Sequence, residues 1–109
     1  IVSTPQELAL QDVKRGIAMF DKLNIRIIGL VDNMSFFKGD DGKKYHIFGE
    51  GGVQKTAQEF KKEFLGEIPI DEEVGKSGDL GKPIVENKPD HEISKLYYDF
   101  AKKIISIYL

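Results

Sequence analysis

Polar and cyclic side chains follow two apolar segments of the sequence, at positions where a β-strand would end. Asp32 and Asn33 come directly after the apolar residues 25–31, and residues 69–71 (Pro-Ile-Asp) close the segment that starts at residue 64. Ligands of open α/β sheets bind beyond the carboxyl ends of strands, and an asparagine amide can both donate and accept a hydrogen bond at a base edge. From these residues alone, strand termination by turn-forming residues is the simpler interpretation, and a base-binding edge is the alternative.

Residues 49–56, GEGGVQKT, come close to the phosphate-binding loop G-x-x-x-x-G-K-[ST]. Gln54 stands where that loop needs its second glycine, whose missing side chain lets backbone N–H groups close around a phosphate. The segment available as a preceding strand is only the short run 45–48. We therefore interpret the octet as a glycine turn that starts an ordinary helix.

The side chains that could ligate a metal are scattered along the sequence. His46 and His91 belong to no cluster of ligands, and Asp40 and Asp41 lack the ligand spacing and final glutamate of an EF-hand loop. The sequence contains no cysteine, which excludes disulfides and thiolate metal sites within it. We expect surface or packing histidines, a solvated Asp-rich turn, and no catalytic or metal-binding residue.

A helix is predicted after the first two apolar residues. Thr4 and Glu7 have the spacing of a capping box, and Pro5 would occupy the first helical position, where its missing N–H costs nothing. The helix would end near Asn24. Its apolar face would consist of Leu10, Val13, Ile17 and Phe20.

Two short apolar runs, residues 25–31 and 64–70, are typical of strands that are buried on both faces of a parallel sheet. A second helix is expected to open at residues 49–52 and a last one near Asp90. Their inner faces would be formed by Val53, Ala57, Phe60 and Phe64, and by Ile93, Leu96, Tyr97, Phe100 and Ile104. This alternation predicts an α/β fold, with a partial doubly wound, mainly parallel sheet and crossover helices.

Two segments interrupt that alternation. Residues 36–48 place a Gly/Asp centre between two aromatic-rich arms, which predicts a hairpin-like excursion. Residues 71–89 contain several glycines and prolines and are predicted to be irregular or only briefly helical.

Composition and charge exclude several functions. The chain has 109 residues, is 40% hydrophobic and 31% charged, and carries a net charge of −2, as expected for one globular domain or part of one. Its charges are evenly spread, so no basic stripe is available for nucleic acid. No apolar run approaches the roughly 20 residues of a membrane span, and no signal peptide opens the chain. We expect a cytoplasmic protein without a nucleic-acid or membrane partner, and interpret a start on Ile1 as that of a fragment.

The order of five segments favours a base-binding edge over simple strand termination. They are residues 2–7 (VSTPQE), 32–37 (DNMSFF), 47–52 (IFGEGG), 64–71 (FLGEIPID) and 81–85 (GKPIV). Together they resemble the C-terminal portion of Mrp-family ATPases, which are ParA/MinD-like P-loop ATPases with a deviant Walker motif. The resemblance covers nearly the whole chain and implies that residues 1–109 form the C-terminal portion of a single P-loop NTPase domain.

What the resemblance implies is an ATP-binding hydrolase that forms a homodimer around Mg-ATP and carries or assembles iron–sulfur clusters for client proteins. The adenine-contacting asparagine of the family maps onto Asn33. The loop that passes the adenine ring maps onto Ile68, Pro69, Ile70 and Asp71. The family's phosphate loop and Walker B aspartate lie upstream of the segment that matches Ile1, so this chain alone is expected to lack a Mg²⁺ site and ATPase activity.

The chain departs from the family at a second position. Many Mrp members carry a C-x-x-C pair after the N-M-S-x-F stretch, which would ligate a cluster between subunits. Here the same spacing falls on Gly39 and Gly42, which offer no thiolate. Cluster binding at this position is therefore not expected.

Two other interpretations remain open at this point. A freestanding interaction or scaffold module without catalysis is consistent with the missing phosphate loop and the missing cysteines. A flavodoxin-like domain fits less well, because its phosphate loop would be expected after an early strand.

Overall fold

The computed structural model describes residues 1–108, which form five strands and five helices. In chain order they are β1 (Val2–Ser3), α1 (Glu7–Lys22), β2 (Leu30–Asn33), β3 (Phe37–Lys38), β4 (Lys44–Tyr45), α2 (Gly52–Glu59), β5 (Phe64–Ile68), α3 (Glu72–Asp79), α4 (Ile84–Asn87) and α5 (Glu92–Tyr108). None of these helices is long and apolar enough to cross a membrane.

The main sheet has three parallel strands in the order β1-β2-β5. The chain crosses from β1 to β2 through α1 and continues to β5, on the other side of β2, through α2. Between β2 and α2, strands β3 and β4 pair in antiparallel fashion, with Phe37 opposite Tyr45. The predicted α/β class with a parallel sheet and crossover helices is confirmed.

The two faces of the sheet carry separate hydrophobic clusters, because successive side chains of a strand point to opposite faces. Leu30 belongs to the cluster under α1 and α2, whereas its neighbour Val31 belongs to the cluster under α4 and α5. The first cluster contains Leu10, Val13, Ile17, Leu30, Val53 and Ala57. The second contains Val31, Leu65, Ile68, Ile84, Ile93 and Phe100. We refer to them as the α1/α2 core and the α4/α5 core.

The strand boundaries differ from those predicted. The apolar run 25–31 is only partly a strand, since β2 begins at Leu30 and extends through Asn33. Ile25 instead completes the end of α1, where its N–H bonds to the carbonyl of Phe20 at 2.8 Å. β5 ends at Ile68, before Pro69, which has no N–H to continue a ladder.

The predicted capping box at the start of α1 is wrong. Gln6 is the N-cap residue and makes no side-chain cap, so Pro5 lies outside the helix. The hydroxyl of Thr4 donates to Gln6 Oε1 at 3.1 Å instead of capping a backbone N–H. The expected stop is close to the observed one: α1 ends at Lys22, and Asn24 follows with a left-handed φ of 59°.

Residues 71–89 form two short helices, α3 and α4, which agrees with the prediction of a briefly helical segment. Asp71 caps α3 by accepting a hydrogen bond from the Glu73 N–H at 2.8 Å, and this cap offsets part of the weak helix propensity of Gly75 and Gly78. The last helix, α5, begins two residues after Asp90 and buries Ile93 and Phe100, as predicted. Tyr97, also predicted to face the core, is instead 38% exposed.

Candidate functional site

The structure brings the two strand-end segments together at the carboxyl edge of the sheet. Asn33 is the direct register partner of Ile68 in the β2–β5 pair. Beyond the strands, the Ser35 N–H donates to the Ile68 carbonyl at 3.0 Å, and the Ile70 N–H donates to the Phe36 carbonyl at 2.7 Å. Segments that lie more than thirty residues apart in the sequence therefore form one continuous edge.

The five predicted base-binding residues occupy different surroundings at this edge. Asn33 is partly buried, and Ile68 is only 4% exposed because its side chain belongs to the α4/α5 core. Pro69, Ile70 and Asp71 line an open cavity of about 710 Å³ beside the edge. Phe36 and Phe37 form its apolar side, whereas Glu72, Glu73 and Glu92 add acidic groups at the starts of α3 and α5.

Asp71 and His91 connect the amino ends of two helices across this cavity. Asp71 Oδ1 caps α3, and its other oxygen, Oδ2, lies 3.5 Å from His91 Nε2. His91 Nδ1 accepts the Ile93 N–H at 3.1 Å, so the proton of a neutral imidazole is on Nε2 and points to Asp71. This role of His91 was not predicted from the sequence. The signal that could have revealed it is a polar residue two positions before the first buried residue of a helix.

A buried carboxylate lies next to the edge, on the opposite face of the sheet from the α4/α5 core. Asp32 is 1% exposed, and its Oδ2 accepts a hydrogen bond from the Ser35 hydroxyl at 3.1 Å. Burial raises the pKa of Asp32, and the charge of Glu67 raises it further. The hydrogen bond from Ser35 and the charge of His46 lower this pKa, but they do not cancel the effect of burial. Within residues 1–108, Asp32 Oδ1 and His46 Nδ1 are buried without a hydrogen-bond partner. The sequence placed Asp32 at a strand end but did not predict its burial.

The β3–β4 hairpin closes on itself through a carboxylate. Asp41 accepts hydrogen bonds from the Lys43 N–H, at 2.9 Å, and from the Tyr45 hydroxyl. A Cβ atom added at Gly39 would lie 2.8 Å from both Asp41 Oδ1 and the Tyr45 ring, so these two side chains would have to shift to admit a side chain there. With glycine at positions 39 and 42, the hairpin offers no thiolate to an iron–sulfur cluster at either position.

The loop that resembles a phosphate-binding motif has a structural role. Thr56 is buried, and its hydroxyl donates to the Gly52 carbonyl at 2.8 Å within α2. A Cβ atom at Gly52 would lie 2.6 Å from Leu10 Cδ1, so glycine is needed where α2 packs on α1. The interpretation of this octet as the start of an ordinary helix is confirmed. In the part of the chain that the structure describes, no three His, Asp or Glu side chains are grouped to hold a metal ion.

Comparison with known proteins identifies relatives along almost the whole chain. A family described as ParA, NUBPL iron-transfer P-loop NTPase, matches residues 1–105. The iron–sulfur cluster carrier protein of Aquifex aeolicus is 42% identical over 98% of this chain and 30% of its own length. The iron–sulfur cluster transfer protein NUBPL of Dictyostelium discoideum is 45% identical over 96% of this chain and 33% of its own length.

A solved structure is similar as well. The nucleotide-binding protein of Archaeoglobus fulgidus, determined in complex with ADP, is 39% identical, with a TM-score of 0.66. The match covers 82% of this chain and 37% of that protein. The chain thus spans about a third of the length of the relatives that it matches.

Proposed function

This chain belongs to the family of ParA, NUBPL-type iron-transfer P-loop NTPases, and we propose that it is the C-terminal portion of a nucleotide-binding ATPase that carries iron–sulfur clusters. The observation that carries the proposal is the edge where Asn33 meets the loop of residues 68–71. Two relatives named as iron–sulfur cluster carrier and transfer proteins support the cargo. The solved relative that binds ADP supports the nucleotide.

In this proposal the edge holds the adenine end of ATP. The Asn33 amide both donates and accepts hydrogen bonds, which matches the adjacent donor and acceptor of an adenine base edge. Pro69 and Ile70 supply an apolar surface against the ring, and both line the cavity beside the edge. Ile68 acts through its backbone, because its side chain is in the core and its carbonyl fixes Ser35.

The phosphates and Mg²⁺ would be held by parts of the longer protein. Nothing at residues 49–56 can replace them, because the Thr56 hydroxyl is used within α2 and the glycines serve packing and the helix start. The proposed contribution of this chain is therefore recognition of the base. Hydrolysis needs the positioning of phosphates, metal and water by other residues, which a homodimer of the whole protein would complete.

In this proposal the iron–sulfur cluster is cargo that the whole protein delivers to client proteins. Since Gly39 and Gly42 leave the hairpin without ligands, the cargo would be held outside residues 39–42. A non-catalytic interaction module is the competing function, and it predicts no nucleotide binding at all.

The test is equilibrium binding of ATP and GTP to the protein expressed from its complete reading frame, with Asn33→Ala as the variant. We expect ATP affinity to fall about tenfold and the preference for ATP over GTP to shrink, because a base hydrogen bond is lost. Gln58→Ala removes an exposed amide from α2 and is the matched control. Unchanged affinity and base preference in the Asn33 variant would refute the site, and absence of nucleotide binding in the unmodified protein would favour the interaction module.

A further inference from the structure

A second large cavity lies at the opposite, amino-terminal edge of the sheet. It has a volume of about 710 Å³ and is enclosed by the segments that lead into β2 and β5 and by the last turns of α5. Ile27, Phe64 and Ile107 contribute apolar surface to it. The base-binding edge proposed above is at the carboxyl ends of the same strands, so the two sites do not share residues.

The charge of this cavity contrasts with that of the whole chain. Arg26, Lys61, Lys62 and Lys103 line it, together with a single acid, Glu63. The chain as a whole has an excess of acids, with 18 Asp and Glu against 16 Lys and Arg. At the carboxyl edge the proportion is reversed, since the other cavity has Asp71, Glu72, Glu73 and Glu92 but only one lysine. The cationic character is therefore local to this cavity.

Most of these cations have no acidic partner. Lys62 pairs with Asp21 at 2.8 Å. Among residues 1–108, Arg26, Lys61 and Lys103 take part in no ion pair. Cations gathered in a cleft with apolar walls repel one another more strongly than they would in bulk water, and the cleft focuses their field on whatever enters it.

Two of the unpaired cations are held in place by contacts that leave their charge uncompensated. The Lys103 ammonium donates to the Leu65 carbonyl at 2.6 Å in a partly buried position. The Arg26 guanidinium lies over the Tyr108 ring, 4.9 Å from its centroid. Positions fixed before binding reduce the ordering cost that a ligand must overcome.

We propose that this cavity binds an organic phosphate monoester, with the phosphate on Arg26 and Lys103 and the apolar part of the ligand on Ile27, Phe64 and Ile107. A guanidinium presents paired N–H donors that fit phosphate oxygens, and the neighbouring ammonium adds a point charge. No local sequence pattern predicts this site, because its cations come from three distant segments, around residues 26, 61 and 103. The same chemistry is offered by a soluble phosphorylated metabolite and by the headgroup of an anionic lipid.

The experiment measures octyl phosphate binding to the 109-residue chain by calorimetry and by amide chemical shifts. Arg26→Gln and Lys103→Met are each expected to weaken binding about tenfold, as loss of one charge-assisted hydrogen bond predicts. Lys95→Gln removes an exposed cation from the same helix as Lys103, outside the cavity, and should leave the affinity unchanged. Shift changes should concentrate at residues 26–28, 61–65 and 103–107.

Further measurements distinguish a soluble phosphate ligand from a lipid headgroup. Co-sedimentation with vesicles that contain phosphatidic acid tests the lipid. Binding to these vesicles that is stronger than binding to octyl phosphate identifies a lipid headgroup as the ligand. Binding to octyl phosphate without binding to vesicles identifies a soluble ligand. Asn33→Ala should bind octyl phosphate normally, so that failure of the base-binding proposal does not affect this one. Absence of saturable binding, or equal weakening by Lys95→Gln, would overturn the proposal.

Discussion

Asp32 is the most deeply buried ionisable side chain at the candidate site, at 1% exposure. Its carboxyl group is almost completely shielded from water; within residues 1–108 its Oδ2 accepts from the Ser35 hydroxyl, and its Oδ1 has no hydrogen-bond partner. Burial without full hydrogen bonding disfavours the charged form, which is why the pKa of Asp32 is raised above its ordinary value of 3.8. The folded state therefore loses stability wherever this group must be ionised.

We predict that Asp32→Asn stabilises the chain at neutral pH. A carboxyl group with a raised pKa in the folded state stabilises the fold fully below its unfolded pKa, and this contribution is lost as pH rises through the folded pKa. The variant escapes that loss while its amide oxygen still accepts from Ser35. The free energy of unfolding should exceed that of the unmodified chain by about 1 kcal/mol near pH 7, and the difference should shrink toward pH 4.

Urea denaturation from about pH 4 to about pH 8 measures this difference. Asp41→Asn is the control, because the Tyr45 hydroxyl and then the Lys43 N–H lower the pKa of Asp41. A lowered pKa gives stability that is present above the unfolded pKa and lost as pH falls, so the two variants should differ in the sign of their pH dependence. A constant offset for Asp32→Asn at every pH would contradict the assignment.

At the level of single residues, the two strand-end segments that the sequence singled out lie at one edge of the sheet, but the surroundings of each side chain were not predictable. Asn33 and residues 69–71 drew attention because polar and cyclic residues end apolar runs. The assignment of Asn33 and residues 68–71 as base contacts follows from the family resemblance and stays a prediction. The pKa of Asp32 responds to the charges of His46 and Glu67, which come from later parts of the chain and give no local signal. The link between Asp71 and His91 likewise joins residues 20 positions apart and has no local signal.

The ends of three helices share one arrangement of hydrogen bonds. After α1, α2 and α3 the chain turns through a left-handed residue, Asn24, Lys61 or Gly81. In each case the following N–H reaches back to the carbonyl five residues earlier: Ile25 to Phe20, Lys62 to Ala57 and Lys82 to Ser77. This is the Schellman arrangement, and it satisfies carbonyls that would otherwise be unpaired at the helix end.

Of these three residues, Lys61 is the least suited to the left-handed conformation, since a φ of 56° brings its Cβ atom too close to the backbone. We predict that Lys61→Gly raises the free energy of unfolding by about 1 kcal/mol, because glycine adopts this conformation without a steric penalty. Asn24→Gly at φ 59° is the matched control and should give a smaller gain, since asparagine tolerates the left-handed region. Thermal and urea denaturation of both variants provide the measurement, and destabilisation by Lys61→Gly would show that its side chain contributes more than the strain costs.

Some element boundaries could not be predicted from the local sequence, because contacts between distant residues determine them. The stop of α1 near Asn24 was predictable from the residue type, whereas the end of α2, where Lys61 takes the left-handed conformation, was not. The apolar run 25–31 looked like one strand, but its first part connects α1 to the sheet. Gly75 and Gly78 favoured an irregular segment, yet both lie in α3, whose start Asp71 caps and whose Ser77 is buried.

For the whole molecule, the order of elements was enough to predict the fold class. Apolar runs alternating with helical patterns imply parallel strands joined by crossover helices, and local residue types carry that information. The charges of the two cavities were not predictable, because each set of side chains is gathered from distant segments by the fold. The same holds for the division of the interior into two cores.

The two cores raise the question of whether the chain unfolds in one step. β2 lies between them, and its consecutive residues Leu30 and Val31 belong to opposite cores. Loss of either core exposes one face of β2 and leaves β1 and β5 paired to a half-solvated strand. A three-stranded parallel sheet buried on both faces cannot tolerate this, since its residues are apolar on each side. We therefore predict a single cooperative transition.

Ile93→Ala in the α4/α5 core and Val53→Ala in the α1/α2 core test this prediction, because both side chains are at most 1% exposed. Ile93→Ala should lower the free energy of unfolding by about 2 to 4 kcal/mol, and Val53→Ala by somewhat less because fewer atoms are removed. Each change should shift the unfolding of both faces together, as monitored by hydrogen exchange of the slowest amides in α1 and in α5. Ile105→Ala, at a 54% exposed position on α5, should have little effect. If Ile93→Ala accelerated exchange in α5 while α1 kept its protection, the cores would be separate folding units, and β2 would not couple them.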